Sequence, residues 1–364
     1  MPVAFDGVRL KVTGIRSAPF GCPSAQSRCA APQDETSKRT DPAMQSAPAP
    51  KIAVIGCGYW GSNHARTFSE LGALYAVSDR HPERAGALAA QHGVRAMGFG
   101  EILADPAVDG VVLALPPHHH ADQAIAVLEA GKHLLVEKPI ALSVADARRV
   151  VDAANKSGLT AMTGHVLRFH PAFEALEAMI VAGELGAVRY IHSHRVGLGK
   201  FHAENDALWD IAPHDLSLIL AITGEKPVNV RGVGSAMLNR LSDFAHLHLQ
   251  FPGGVRSHVF ASRLNPYRER KLTVIGSKAM AVFDDVAPWN QKLAVYRHKV
   301  WEDDDGWQSE MVDPDYIAIP DGMPLTRECA HFLDCILTGA APRTPVSDGL
   351  AVIEILSEGT VRHD

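Results

Sequence analysis

The chain has no apolar run near the ~18 residues that a membrane helix requires. Cysteine is sparse. Cys22, Cys29, Cys57, Cys329 and Cys335 are scattered, odd in number and free of any CxxC pair. That spacing excludes a disulfide framework and the usual zinc sites, and it fits reduced thiols in a cytoplasm. Positive charge is not in excess: 35 Lys and Arg stand against 41 Asp and Glu, for a net charge of −6. Broad binding to nucleic acid or to a membrane surface wants a basic face, which this balance does not offer. What is present, 46% hydrophobic and 21% charged residues in a chain of 364, suits a globular protein of about two domains.

Residues 1–50 stand apart. The stretch "SAPFGCPSAQSRCAAPQDETSKRTDPAMQSAPAP" is rich in Ser, Ala, Pro and Gln and has no sustained apolar period. Such a segment cannot bury enough surface to offset its ordering entropy. It lacks the apolar core of a secretory signal, and Asp34, Glu35 and Asp41 argue against a transit peptide. Two readings stay open. Residues 1–50 are a disordered extension, or translation starts at Met44, seven residues before the first strand.

From residue 51 a βα alternation begins. "KIAVIG" (51–56) is the continuous apolar run of a strand buried on both faces. A helix is expected from about Gly61. "ALYAVSD" (73–79), "GVVLALPP" (110–117), "HLLVEKP" (133–139) and "LTAMTG" (159–164) read as further strands. Helical segments at 82–92, 119–130 and 143–158 separate them, the last opened by Ser143 and closed by Gly158. Alternation with short turns predicts a doubly wound parallel sheet, a Rossmann fold. Gly56, Gly58 and Gly61 then fall between a strand and a helix. Gly56 permits a tight turn, Gly58 lets the backbone approach a pyrophosphate, and Gly61 allows close helix–strand packing. Tyr59 and Trp60, inside the same turn, are assigned to the cofactor with it. Asp79 ends the second strand, where a carboxylate accepts from the adenosine ribose hydroxyls. It favours NAD over NADP, since a carboxylate repels a 2′-phosphate. Arg80 beside it can hold that phosphate, so NADP stays possible.

The second half changes character. Long strands are expected at 187–197, 228–238, 243–251, 254–263, 270–276, 279–284 and 292–299. "FAHLHLQF" alternates, with Ala245, Leu247, Leu249 and Phe251 on one face and Phe244, His246, His248 and Gln250 on the other. This predicts an α+β region with a large, open, mostly antiparallel sheet, its apolar face on helices. The other face is either solvated or a subunit interface. Helical spacing at 326–337 and 348–359 closes the chain.

A nucleotide-binding half followed by an open antiparallel sheet, "EKP" at a strand end, and "WDIAPHDLS" (209–217) occur in order with "GCGYWG", "LPPHHHADQA" and "GHVLRFHPAF". Together they resemble the glucose–fructose oxidoreductase / inositol dehydrogenase (Gfo/Idh/MocA) family over roughly residues 51–360. The resemblance implies an NAD(P)-binding Rossmann domain at 51–168 and a substrate-binding and oligomerisation domain at 169–364. It also implies an NAD(H)-dependent dehydrogenase acting on a secondary hydroxyl of a sugar, cytoplasmic and forming a homodimer or homotetramer through the open sheet. The quoted stretches look most like the nucleotide-sugar branch, which oxidises the 3-hydroxyl of UDP-N-acetylglucosamine or its uronic acid. An inositol or free-sugar dehydrogenase is the alternative. A non-catalytic dinucleotide-binding sensor is a third reading, although a sensor need not keep Lys138 and His214.

The chemistry agrees. Oxidising a secondary alcohol needs a base for the hydroxyl proton and a nicotinamide for the hydride. Lys138 leaves a strand at the carboxyl end of the sheet, between Glu137 and Pro139, and by resemblance is the catalytic lysine. Asp210 and His214 lie four apart on a helical turn. A carboxylate there can hold the imidazole in one tautomer and leave its other nitrogen as the base. His214 is thus assigned as general acid/base and Asp210 as its partner and a substrate ligand, with Trp209 walling the pocket. Pro116, Pro117 and His120 match the family's turn beside the nicotinamide, and Glu137 is assigned to the nicotinamide ribose. His165 and Arg168 follow a strand and can point into the cleft. Arg168 is either an anion ligand or a structural ion pair. Consecutive side chains diverge, so the run His118, His119, His120 does not make a metal site, and no metal is expected.

Overall fold

The computed structural model describes residues 49–199, 206–238 and 240–360. The expected extension over 1–50 lies outside the described residues except for its last two. In chain order the first half runs β1 (Ile52–Ile55), α1 (Tyr59–Glu70), β2 (Leu74–Ser78), α2 (Pro82–His92), β3 (Arg95–Ala96), α3 (Phe99–Ala104), β4 (Gly110–Leu113), α4 (His120–Glu129), β5 (His133–Glu137), α5 (Val144–Ser157) and β6 (Ala161–Gly164). These six strands form one parallel sheet in the order β3-β2-β1-β4-β5-β6. The order reverses between β1 and β4, so the crevice beyond their carboxyl ends is where such a sheet binds ligands.

The apolar runs become strands because both faces are covered. Ile52 and Val54 point to one side, where they pack with Phe68, Val77, Leu135 and Phe332. Ala53 and Ile55 point to the other, with Val111, Leu113, Leu134 and Val136. The helix α1 starts at Tyr59, two residues before the sequence suggests, with Gly58 as its uncapped N-cap. The short pair β3 and α3 has too little apolar period to be read from the sequence.

The second half adds α6 (Pro171–Val181), β7 (Val188–Val196), α7 (Ala207–Thr223), β8 (Asn229–Ser235), β9 (Phe244–Gln250), β10 (Arg256–Ser262), β11 (Glu269–Gly276), β12 (Met280–Asp284), β13 (Leu293–Tyr296), β14 (Lys299–Asp303), β15 (Gly306–Glu310), β16 (Asp315–Tyr316), α8 (Pro324–Thr338) and α9 (Val346–Glu358). Its eight-stranded sheet has the order β16-β13-β12-β11-β7-β10-β9-β8. Every pairing in it is antiparallel except β7 with β10. As the alternation of "FAHLHLQF" requires, Ala245, Leu247, Leu249 and Phe251 are buried. The opposite face carries a row of rings: His246 stacks on Phe260, and His248 on His258.

Two features of the packing matter for the site. Cys329, Phe332 and Leu333 of α8 cover one face of the first sheet, far from them in sequence. The helix α7, opened by the Asp206 side chain accepting from the Trp209 N–H, lies on the apolar face of the second sheet. It faces the end of β5.

Candidate active site

The glycine turn is sterically committed. Gly56 has φ of +96°, and a Cβ there would meet the Ala114 carbonyl oxygen at 2.3 Å. A Cβ on Gly61 would meet the Gly56 oxygen at 1.6 Å. No other residue fits at either place without moving backbone. Gly58 is the opposite case, with nothing within 4 Å of its would-be Cβ. Open space therefore lies against the uncapped N-terminus of α1, whose first-turn N–H groups lack intrahelical partners. That combination fits a diphosphate, attracted also by the helix dipole. The Asp79 carboxylate closes the turn, accepting from the Cys57 N–H at 2.7 Å and the His81 N–H at 2.9 Å. A carboxylate has further lone pairs, so two ribose hydroxyls can still donate to it. Arg80 is exposed, its Nε directed at His81. Tyr59 and Trp60 project outward edge to face, Tyr59 being 78% exposed.

Downstream of β4 the Pro116–Pro117 turn leads into α4. His118 and His119 are exposed, their rings in tilted contact, whereas His120 is fully buried. Its Nδ1 lies 2.7 Å from the Pro139 oxygen and its Nε2 2.8 Å from the Leu115 oxygen. Both nitrogens thus face backbone oxygens of the loops that flank the crevice, and the neutral ring donates its single N–H to one of them. Its basicity is pushed down by burial, against the two carbonyls and Glu137.

Glu137 also differs from expectation. Its Oε1 pairs with Nε2 of His64 at 2.8 Å, and its Oε2 accepts from the Lys138 N–H at 3.2 Å. The carboxylate locks β5 to α1, which makes it a support of the turn. On the far side of His64, Nδ1 faces the Cys329 thiol at 3.6 Å. Burial holds that thiol protonated, so it donates to Nδ1, and Nε2–H is left to donate to Glu137. Glu328, next in α8, is fully buried with neither side-chain oxygen bonded. Burial first, then Glu137, raises its pKa well above the usual carboxylate range. His64, Glu328 and Cys329 were missed from the sequence. The available signal was a polar residue on the inward stripe of a helix, His64 beside Ala65 and Phe68.

Lys138 is the centre of the cleft. Its Nζ donates to the Asp210 carbonyl at 2.8 Å and lies 3.7 Å from the Asp210 carboxylate, with the lysine side chain 13% exposed. Pro213 accounts for part of this arrangement. It has no N–H to give the Trp209 carbonyl, next to the Asp210 carbonyl that Lys138 bonds.

The expected pairing of Asp210 with His214 is not formed. Asp210 turns to the full positive charge of Lys138 instead. His214 is half-buried, and its Nδ1 is sealed from solvent with no hydrogen-bond partner. Its basicity is driven well below normal by burial first, then by Lys138, Arg195, His165 and Arg270. The ring is neutral at pH 7, which is the form that accepts a proton. His165 lies close by, 1% exposed with both ring nitrogens unbonded, its pKa pushed down to about 3 by burial, Arg168 and Lys138. His214 Nδ1 and both nitrogens of His165 are closed off from solvent, which leaves Nε2 as the His214 ring nitrogen open to a hydroxylated ligand.

Two substrate assignments change. Arg168 is a structural ion pair, with Nη2 3.6 Å from Glu177 and Nη1 3.5 Å from Asp348, and only 11% of its side chain exposed. It joins α6 to α9, the structural ion pair of the two readings. Trp209, in the first turn of α7, sends its indole N–H to the Thr360 hydroxyl at 3.3 Å.

The chain is similar in sequence and fold to known proteins. Residues 50–165 match the family model for the oxidoreductase family with an NAD-binding Rossmann fold, and residues 173–282 match the GFO/IDH/MocA C-terminal domain. The chain is 31% identical over 311 residues to the UDP-N-acetylglucosamine 3-dehydrogenase of Acidithiobacillus ferrooxidans, covering 84% of this chain and 94% of that protein. A solved structure of that enzyme superposes with a TM-score of 0.75 at 28% identity, covering 85% of this chain and 95% of the other. The NAD-dependent scyllo-inositol 2-dehydrogenase of Bacillus subtilis is 26% identical over 322 residues, covering 84% of this chain and 91% of that protein. The chain belongs to the Gfo/Idh/MocA oxidoreductase family. Among the described residues, no helix is long and apolar enough to cross a membrane.

Proposed function

We propose that this member of the Gfo/Idh/MocA family oxidises the 3-hydroxyl of a UDP-N-acetyl-hexosamine or its uronic acid to a 3-keto sugar, with NAD as acceptor. The observation that carries the reading is the meeting of Lys138 with neutral His214 and unpartnered His165, at the carboxyl end of β5. The choice of sugar rests on the similarity to the Acidithiobacillus enzyme, and the preference for NAD on Asp79. In this reading residues 51–168 hold the dinucleotide, while residues 169–364 hold the substrate and assemble the oligomer through the ring-bearing face of the second sheet. The free thiols of Cys57, Cys329 and Cys335 support a cytoplasmic location in this reading.

Neutral His214 takes the hydroxyl proton. The Lys138 ammonium, held by the Asp210 carbonyl, faces the oxygen as it becomes an alkoxide. His165, fully buried beside His214, excludes water from that side. Bound NAD supplies the acceptor for the hydride leaving carbon. The reverse reaction uses the same groups.

The inositol dehydrogenase of Bacillus subtilis supports the second reading, a free cyclitol or sugar as substrate. Purified protein incubated with NAD and a panel of UDP-N-acetylglucosamine, its uronic acid, myo-inositol and glucose separates the two, followed by NADH absorbance. NADH formation with a UDP-sugar is the expected result. Turnover of inositol alone moves the assignment to the second reading, and no turnover with any of them returns the protein to the sensor reading.

A further inference from the structure

Besides Lys138, two further cations bear on His214, Arg195 and Arg270. Arg195 of β7 lies directly across from Arg270 of β11 in the ladder, so both project to the α7 side of the sheet. Arg195 is satisfied: it is 7% exposed and grips Asp215 with two bonds, of 2.8 and 3.1 Å. Arg270 is not. Among the described residues its one ion-pair contact is Asp285 at 3.4 Å, and Arg195 shares that carboxylate from 3.7 Å. The Arg270 side chain is 37% exposed. Most of its five N–H donors are therefore uncommitted.

The neighbours do not restore neutrality. Lys292 gives its Nζ to the Asp285 backbone carbonyl at 2.7 Å, and no carboxylate among the described residues lies within ion-pair distance of it. Arg195, Arg270 and Lys292 thus face Asp215 and Asp285, three cations against two anions. Arg268, exposed two residues before Arg270, adds a fourth cation. A half-buried guanidinium left short of a counter-ion costs free energy, and a bound anion offsets that cost. The planar fork suits two oxygens of a phosphate or carboxylate.

We propose that Arg270 is a substrate-binding residue that holds an anionic group of the substrate, a phosphate or a carboxylate, while the reacting hydroxyl lies at His214. This rests on the sugar-oxidation reading for the identity of the ligand and takes over the anion-binding part expected of Arg168. Arg195 acts as its support, fixing Asp285 and Asp215 beside it.

Calorimetric titration of NADH-loaded protein tests the assignment with the dinucleotide site filled. UDP and glucuronate are the anionic probes, and N-acetylglucosamine is the neutral control. Wild-type protein should bind at least one anionic probe, more weakly as salt rises, and the probe that binds tells phosphate from carboxylate. Arg270→Gln should weaken that binding about 10- to 100-fold, the range of a lost charge-assisted contact, with NADH and the neutral control unaffected. Arg270→Lys should fall between the two, and it keeps the test open if Arg270→Gln does not fold. A purely structural arginine would lower the melting temperature but leave the ratio of anionic to neutral affinity unchanged. That unchanged ratio, or no binding of either anion to wild type, overturns the proposal. Arg270-dependent binding in a protein that oxidises no sugar would sink the sugar reading and leave the anion site standing.

Discussion

Replacing Lys138 by Met tests the centre of the cleft, because one change has two computable consequences. The first is on rate. The Nζ held 2.8 Å from the Asp210 carbonyl is a preorganised donor facing the hydroxyl oxygen. Removing one such donor costs about 10²–10³ in kcat. The second is on pH dependence. Lys138 stands first among the charges that lower the basicity of His214, after burial itself. A nearby cation disfavours the imidazolium, so its removal raises the His214 pKa. The base must be neutral, so the acidic limb of kcat/KM moves to higher pH in the variant. Steady-state rates across pH with the productive sugar read both effects, and NADH fluorescence titration reads binding. NADH affinity should hardly change, since the glycine turn and Asp79 are untouched. A variant within about tenfold of wild type in kcat, against the donor loss just estimated, refutes the role of Lys138. A loss of rate with an unmoved acidic limb refutes the coupling of Lys138 to His214.

Other substitutions follow from contacts. Gly61→Ala puts a methyl 1.6 Å from the Gly56 oxygen, so the turn must move; NADH affinity should fall at least about tenfold, roughly 1.4 kcal/mol, and the melting temperature should drop. Arg168→Met removes a mostly buried bridge between α6 and α9; it should cost about 2 kcal/mol in chemical denaturation and leave the KM ratio of anionic to neutral substrates unchanged. Glu328→Gln concerns a carboxyl whose folded pKa is raised. Above the unfolded pKa the unfolded chain binds fewer protons than the folded one, so wild-type stability falls as pH rises, and the glutamine variant should lose that slope in thermal melts across pH 5–8.

The sheet was readable because its strands are uninterrupted apolar runs and its turns carry glycine where a Cβ has no room. The alternation of "FAHLHLQF" likewise reported which face is buried, because a strand's period of two leaves no freedom. The site was readable only as a set of residues. Lys138, His165 and His214 do converge, from β5, the end of β6 and α7, yet their partners came out differently. Spacing on a helix shows that Asp210 and His214 can meet. It does not show that a lysine from a strand 72 residues earlier takes the carboxylate first. Arg168 and Glu137 repeat this lesson, each claimed by a long-range partner: Asp348 for one, His64 for the other. Elements built from contacts distant in sequence, such as α8 covering the first sheet, leave no local trace.

The same partner exchange bears on how His214 would serve as the proposed base without a carboxylate to hold it. In a paired arrangement, an acidic neighbour raises the basicity of the ring and fixes its tautomer. Here burial and a group of cations do the reverse, so the ring stays neutral and ready across the physiological range. It is also a weak base, and the proton becomes expensive to keep on it. An adjacent ammonium offsets this by stabilising the alkoxide, which lowers the acidity demanded of the histidine. The two assignments therefore stand together: a neutral, weakly basic His214 is useful only where Lys138 carries the developing charge. An Asp210→Asn variant separates this from the carboxylate-held alternative. It keeps the carbonyl that positions Nζ and removes only the charge, 3.7 Å from the lysine. In a carboxylate-held histidine the rate would fall as far as in a His214 variant. With the cation-held site, the loss should stay within about tenfold, the size of a partly exposed ion pair, and the acidic limb should move slightly to lower pH as Lys138 loses its counter-charge. A shift to higher pH would mean that Asp210 bears on His214 in some other way and that the cations do not set its basicity.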